Sequence, residues 1–167
     1  LLYDFFCKSP LRKHTKIFTI VGFSIAVIIS FFLTKIYGSR AAYIHVGACL
    51  GTIMVANVFR VIIPSQKDMV GAAFNGKTLD VNKSISAKTR SLHNNYITLP
   101  VLFIMISSHY PFTYGHKYNW IILAVISLIG AGTRHYFNLR NKKQYKPFIL
   151  PIAAFGMVIL MFYTSIP

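Results

Sequence analysis

The stretch from Lys88 to Pro111, KTRSLHNNYITLPVLFIMISSHYP, contains an apolar run that is typical of a membrane helix, with a polar cluster at each end. The first cluster contains His93 and two asparagines, and the second contains His109. A helix that only anchors a protein in lipid does not need histidines and amides at its ends, because polar side chains in a bilayer are costly. The stretch therefore predicts a membrane helix that carries a function.

The composition of the whole chain is typical of a membrane protein. Of its 167 residues, 54% are hydrophobic and only 13% are charged, whereas soluble domains contain about 25% charged residues. A net charge of +15 would indicate nucleic acid in a soluble protein, but here the positive residues lie between apolar runs. We therefore expect membrane lipid as a partner and no nucleic acid.

Five apolar segments predict an all-α fold, a polytopic bundle of about five membrane-spanning helices. A helix of about 20 residues crosses a hydrocarbon core of about 30 Å. The whole chain, residues 1–167, is expected to form one transmembrane domain that is part of a larger one, with a cytoplasmic loop over 64–91. The predicted helices cover approximately 17–37, 41–63, 92–110, 118–139 and 148–166.

The Lys and Arg residues at the ends of these predicted helices and between them are distributed unevenly. Thirteen lie in the N-terminal segment, in 64–91 and in 140–146, whereas the opposite loops hold three. Short loops rich in positive charge stay on the cytoplasmic side of a membrane. The first group is therefore predicted to be cytoplasmic, and the C-terminus is predicted to face outward.

The histidines near the helix ends form two predicted layers. The outer layer holds His45 and His109, and the inner layer holds His93 and His135. Each layer supplies two histidines from different helices, which is how a helix bundle holds the iron of a b-type haem. Histidines at such positions also cap backbone, bind lipid headgroups or bond to a neighbouring helix. Spacing alone leaves both interpretations open.

Arg60 lies inside the second predicted helix, where an arginine normally faces a cavity or a partner. Asn57 is three residues earlier and is expected on the same face. A guanidinium suits an anionic ligand with carboxylate-like or heteroaromatic oxygens. Alternatively, Arg60 extends to the inner headgroups, since Pro64 is expected to end the helix one turn later. No predicted helix contains an acidic residue, which argues against a cation pump.

Four strings in this chain resemble one bacterial family. They are GTIMVANVFRVIIPSQK (51–67), AKTRSLHNNYITLPVLFIMISSHYP (87–111), NW (119–120) and RHYFN (134–138). The resemblance is to the membrane region of the cytochrome c-linked urate oxidases, also called urate hydroxylases. It covers approximately residues 3–141 and includes long ungapped strings, which makes it specific.

The resemblance implies a multi-pass protein of the bacterial inner membrane that oxidises urate to 5-hydroxyisourate. Electrons then pass to a C-terminal cytochrome c domain outside the membrane, and not to oxygen. The family also has further helices before the matched part, and neither these nor the cytochrome c domain is found here. We therefore expect the later helices of a longer or split protein. Its expected partners are the upstream helices and a cytochrome c domain or protein that carries haem c.

Urate is an electron-rich heteroaromatic anion, so a site that oxidises it needs a cationic clamp, amide groups and a proton acceptor. The arginines considered for the clamp are Arg60, Arg90 and Arg134. The candidate catalytic residues are Asn57, Arg60, Arg90, His93, Asn94 and Asn95. The candidate cofactor-binding residues are Arg134 and four histidines that could ligate haem b iron, namely His45, His93, His109 and His135.

Two other functions are compatible with the same residues. The first is a non-catalytic haem b subunit that carries electrons between a partner and a quinone or a cytochrome. The second is a transporter or a structural membrane protein without redox chemistry. An optical spectrum and an assay of urate-dependent cytochrome c reduction separate these three interpretations.

Overall fold

The computed structural model describes residues 2–9, 15–76, 78 and 80–165. Within these ranges every regular element is helical, which confirms the predicted all-α fold. A π-helical turn, Val58–Ile62, joins α3 to α4, and a 3₁₀ turn, Ser107–His109, follows α5. The helices are α1 (Leu2–Lys8), α2 (Thr15–Ile36), α3 (Ser39–Asn57), α4 (Ile63–Phe74), α5 (Val81–Ile106), α6 (Pro111–Tyr114), α7 (Asn119–Asn141) and α8 (Ile149–Ser165).

Four long helices of the described chain pack in a ring in the order α2, α3, α5 and α7, and α7 closes the ring by contacting α2. The helix α8 packs on the outside of α7. Buried apolar side chains fill one end of this ring, where α3 begins and α5 ends. We call this the apolar end, and we call the opposite end, where α3 ends, the polar end. The core of the apolar end consists of Tyr43, Val46, Ile104 and Leu123.

Among the residues that the structure describes, three helices are long and apolar enough to cross a membrane. The predicted spans 92–110 and 148–166 are not among them, so the count of five is not confirmed. The first half of α5 is polar, and α8 has only 17 residues, while the predicted last residue, Ile166, lies outside the described residues. The three helices are Thr15–Ile36, the continuous helix Ser39–Phe74, and Asn119–Asn141.

The prediction of a loop over 64–91 was wrong, because most of this segment is helical. The polar sequence contains the signals for a helical hairpin. Gly76, with φ at +59°, follows the end of α4 in the left-handed conformation that favours glycine. Asp80 then caps α5, since its Oδ1 accepts from the backbone N–H groups of Asn82 at 3.0 Å and Lys83 at 3.3 Å.

Pro64 does not end the second predicted helix. It stands in the first turn of α4, directly after the π-helical turn. A proline in a helix removes one backbone hydrogen bond and clashes with the carbonyl one turn before it. The wider i→i+5 bonding of a π-helical turn relieves this conflict, so the chain continues as one helix from Ser39 to Phe74.

A pair of glycines on α3, Gly47 and Gly51, has the spacing at which small residues let helices approach closely. Only Gly47 is used in this way. A Cβ atom at Gly47 would lie 2.6 Å from Cγ2 of Ile104 on α5, whereas one at Gly51 would meet nothing within 4 Å. The close packing of α3 on α5 therefore depends on Gly47.

We expect Gly47→Ala to destabilise the bundle by about 1–3 kcal/mol, because the buried, β-branched Ile104 has little room to move. Gly51→Ala is the matched control on the same helix, and its stability should stay within about 1 kcal/mol of the wild type. Thermal unfolding of the purified protein in detergent measures the difference. Equal melting temperatures for the two variants would contradict this description of the α3–α5 contact.

Candidate functional site

Four of the six candidate catalytic residues lie together at the polar end. They form a hydrogen-bonded cluster with two residues of α1, and we call it the Arg90 network. Arg90 and Asn57 are buried, with 4% and 2% exposed, and His93 and Asn94 are half-buried. The Arg90 network consists of Tyr3, Asp4, Asn57, Arg90, His93 and Asn94.

The guanidinium of Arg90 is paired within the chain. Its Nη1 donates to Oδ1 of Asn57 at 3.0 Å, and its Nη2 donates to Oδ1 of Asp4 at 2.5 Å. The ring of Tyr3 lies over the guanidinium, with 4.9 Å between the ring centroid and Cζ. A buried charge is tolerated only when it is paired in this way. Arg90 therefore ties α1 and α3 to α5.

The amide groups of Asn57 and Asn94 join α3 to α5. Nδ2 of Asn57 donates to Oδ1 of Asn94 at 2.8 Å and to the hydroxyl of Tyr3 at 3.1 Å. Nδ2 of Asn94 donates to the backbone carbonyl of Met54 at 2.9 Å. Both asparagines thus have partners for their oxygen and their nitrogen, so the network is well satisfied by the chain itself.

His93 lies between two aromatic residues. Its Nδ1 is 2.8 Å from the hydroxyl of Tyr3, and its ring stacks on Phe18 of α2 with 4.9 Å between centroids. Burial is the main cause that raises the pKa of Tyr3 to about 12, so this phenol is neutral near pH 7. Sequence reasoning did not identify Tyr3 or Phe18, because their pairing with His93 depends on the tertiary fold.

A second polar group lies where α5 packs on α7. Here a Cβ atom at Gly130 would be 3.2 Å from Cβ of Leu99, which fixes the register of the two antiparallel helices. Asn95 lies one turn from Leu99 on the same face of α5, and Arg134 lies one turn from Gly130 on the same face of α7. Both residues are therefore at the α5–α7 interface, one turn nearer the polar end. The hydroxyl of Tyr96 lies 2.7 Å from Nδ1 of His135, consistent with this register.

Three side chains at this interface have buried polar atoms without a hydrogen-bond partner among the described residues. They are Oδ1 of Asn95, Nε of Arg134 and Nδ2 of Asn138, and we call these residues the Arg134 cluster. Two are donors and one is an acceptor, and Asn138 follows Arg134 by one helical turn. Because an unpaired buried polar group is costly, such atoms point to a ligand or ordered water.

Arg60 belongs to neither group. Its side chain is exposed, although Asn57, three residues earlier, is buried. The expectation that the two share a face assumed the ordinary α-helical period. Arg60 lies within the π-helical turn Val58–Ile62, where each turn contains about one residue more, so its side chain points away from the network.

The remaining histidines lie apart from these groups. Nδ1 of His45 donates to the carbonyl of Ala41 at 2.7 Å, and its ring stacks on Tyr37 with 4.6 Å between centroids. His109 is exposed in the 3₁₀ turn. Within the described residues no group of three or more His, Cys, Asp or Glu side chains could hold a metal ion. A haem site made by two histidines stays a prediction.

The chain is an all-α bundle with helices of membrane-spanning length and with a buried arginine and a buried asparagine at one end. The family model described as "Urate oxidase N-terminal" matches residues 1–165, so the chain belongs to that family. Comparisons with curated proteins and with solved structures gave no match.

The ion pair of Asp4 makes stability depend on pH. The hydrogen bond from Lys8, followed by the contacts with Arg90, lowers the pKa of the Asp4 carboxyl. The stabilisation is therefore complete above the unfolded-state pKa of about 3.9 and is lost as the pH falls through the folded-state pKa. Asp4→Asn should reduce stability by about 1 kcal/mol at pH 7, and this difference should become smaller as the pH falls toward the folded-state pKa.

Thermal unfolding of the purified protein between pH 7 and about pH 3 measures this difference. Asp68→Asn is the control, since Asp68 forms an exposed ion pair with Lys83 that should contribute little at any pH. A loss of stability in Asp4→Asn that is independent of pH would show that the carboxylate charge is not what stabilises α1.

Proposed function

We propose that this chain takes part in the oxidation of urate to 5-hydroxyisourate at a membrane, with electrons passing to a cytochrome c. Membership of the urate oxidase family supports an oxidoreductase that acts on urate. In the proposed reaction urate and water give 5-hydroxyisourate, two protons and two electrons. The oxygen atom comes from water, and two ferric cytochrome c haems accept the electrons one at a time.

The Arg134 cluster is the proposed site for urate. Urate is a planar anion whose edges carry carbonyl oxygens and N–H groups. Nε of Arg134 and Nδ2 of Asn138 are unpaired buried donors, and Oδ1 of Asn95 is an unpaired buried acceptor. The two donors can bind a carbonyl oxygen on one edge of urate, and the acceptor can bind a neighbouring N–H group. The guanidinium also supplies the positive charge that an anion requires. This unpaired guanidinium is the observation that carries the proposal.

The other two candidate arginines are less suitable for a substrate. Arg90 already donates to Asp4 and Asn57, so an added anion would have to replace one of these partners. Arg60 is exposed on the surface of the helix, away from the buried amides. Only Arg134 combines a guanidinium, a buried unpaired N–H and neighbouring unpaired amides among the described residues. The geometry therefore favours Arg134 over Arg60 and Arg90.

Tyr96 and His135 are proposed to handle the proton that urate loses. They adjoin Asn95 and Arg134 in the sequence, and the Tyr96 hydroxyl holds Nδ1 of His135 at 2.7 Å. This bond fixes the orientation of the imidazole. In the tautomer proposed here Nδ1–H donates to the Tyr96 oxygen, which leaves Nε2 to accept a proton from an N–H group of the substrate. The Arg90 network has a different role in this proposal, which is to fix the rotation of α5.

The proposed location is the bacterial inner membrane, with several spans and with the C-terminus on the outer, periplasmic side. Three helices of sufficient length and hydropathy support a membrane protein, and the uneven distribution of Lys and Arg supports the orientation. Of the basic residues that enter this count, Arg12, Lys13 and Lys77 lie outside the described residues. A cytochrome c domain or protein would then accept electrons on the outer side.

Replacing Arg134 tests the proposed site. Arg134→Gln removes the charge without breaking a side-chain pairing of its Nε, so folding should be retained. We expect urate-dependent reduction of cytochrome c, measured in membranes that contain the full protein, to fall by about 10- to 100-fold. Arg140→Gln is the control, because Arg140 is exposed on the same helix. Normal turnover in Arg134→Gln would remove the cluster from the reaction.

A second candidate function is haem b electron transfer, and the arrangement of three histidines favours it. Nδ1 of His45 donates to a backbone carbonyl, which leaves its Nε2 for iron. Nδ1 of His93 and His135 bonds to a tyrosine hydroxyl, and Nε2 of each is open to iron when Nδ1 is the donor, as is usual for ligating histidines. Haem b, when bound, would supply one-electron transfer. An optical spectrum of the purified protein tests this: a Soret band that is lost in His93→Ala or His135→Ala supports it, and no Soret band excludes it.

A further inference from the structure

The short helix α1 inserts two side chains into the polar end of the bundle, while the rest of it is largely exposed. Phe5 is 69% exposed, and the side chain of Lys8 is 75% exposed. Tyr3 and Asp4 instead contact the buried Arg90 and its neighbours. The docking of α1 therefore depends mainly on this aromatic ring and this carboxylate, together with Cys7, which is 4% exposed.

The residues that receive Tyr3 and Asp4 have the chemistry of a site for an aromatic anion. The guanidinium of Arg90 offers one face to a ring and one edge to a carboxylate. Asn57 Nδ2 and His93 Nδ1 meet at the phenol oxygen, at 3.1 Å and 2.8 Å. Phe18 stacks on His93 and forms an apolar wall behind it. An aromatic ring with an oxygen substituent and a negative charge would use Arg90, Asn57 and His93, while Phe18 supports the His93 ring.

We propose that Phe18, Asn57, Arg90 and His93 form a binding site for a planar aromatic anion, and that α1 covers this site with Tyr3 and Asp4 as built-in ligands. The site is separate from the Arg134 cluster, because it faces α1, α2 and α3, whereas the Arg134 cluster lies between α5 and α7. Urate is a member of this class of ligand. The choice of urate as the probe rests on the proposed function, but the site itself does not.

Exchange of α1 for an external anion is energetically reasonable. Removing the partner of a buried arginine is costly, but replacing one carboxylate-like partner by another keeps Arg90 paired. Asp4 also keeps a partner after release, since Lys8 of α1 lies 2.8 Å from its Oδ2 and both side chains already reach solvent. The free-energy cost of the exchange is therefore the loss of the packing contacts of α1 alone, and no charge is left unpaired.

Cys7 provides a direct report of this exchange, because release of α1 would expose its thiol. The full protein is reconstituted in lipid nanodiscs, labelled briefly with a water-soluble maleimide, and analysed by peptide mass spectrometry. The thiols left unlabelled are then alkylated in the unfolded protein with an isotopically heavy maleimide, so that each Cys7 peptide carries its own internal reference. We expect urate to raise the labelling rate of Cys7, which is buried without urate, several-fold in a saturable manner. A neutral methylated xanthine should have no such effect.

Variants of α1 test the same proposal without threatening the bundle. Asp4→Asn and Tyr3→Phe weaken the built-in ligands, so they should raise the labelling of Cys7 in the absence of urate and reduce the urate concentration needed for the full effect. Lys8→Ala, which removes only the exposed partner of Asp4, should change labelling least. Labelling of Cys7 that does not respond to urate, in the wild type and in Asp4→Asn, would overturn the proposal.

The outcome is separable from that of the proposed function. Arg134→Gln should lose urate oxidation and keep the response of Cys7 to urate, because Arg134 is not part of the site under α1. If Arg134→Gln instead retains turnover, the assignment of the catalytic site fails while the Cys7 response still decides the proposal about α1. If Arg90→Lys keeps the urate response of Cys7, the guanidinium fork is not required and the proposed site is wrong.

Discussion

A guanidinium that is buried among helices must be paired, and this constraint determines how the polar end is built. Arg90 is 4% exposed and obtains its partners from two other elements, Asp4 of α1 and Asn57 at the end of α3. Asn57 in turn bonds to Asn94 and to Tyr3, so one charge organises a continuous network. This network fixes the rotation of α5 about its axis. As a result His93 faces α2, and Asn95, two residues later, faces α7.

The buried Arg90 and the half-buried Arg134 differ in what remains for them to bind. Arg90 has its partners within the chain, whereas Nε of Arg134 has none among the described residues. A paired arginine stabilises a fold, and an unpaired one beside unpaired amides is suited to a ligand. This difference places urate between α5 and α7 in the proposed function. The site under α1 becomes available to an anion only when Asp4 leaves Arg90.

Apolar runs in the sequence predicted the all-α fold, and Asn57, Arg90, His93 and Asn94 were candidate catalytic residues from their polar chemistry, although Arg90 was expected in a loop. The helical hairpin within 64–91 was missed because polar composition was equated with a loop, although Gly76 and Asp80 are ordinary helix stop and start signals. The face of Arg60 was misjudged because a π-helical turn changes the helical period. Tyr3 and Phe18 could not be found from the sequence, since their contacts with His93 join separate helices.

A high-resolution structure of the protein with urate, prepared without an electron acceptor so that the substrate is not consumed, would show where urate binds. We expect a planar ligand between α5 and α7, with an oxygen about 3 Å from Nε of Arg134 and polar contacts to Asn95 and Asn138. Urate bound elsewhere, with Arg134 paired to protein groups or water alone, would contradict this expectation.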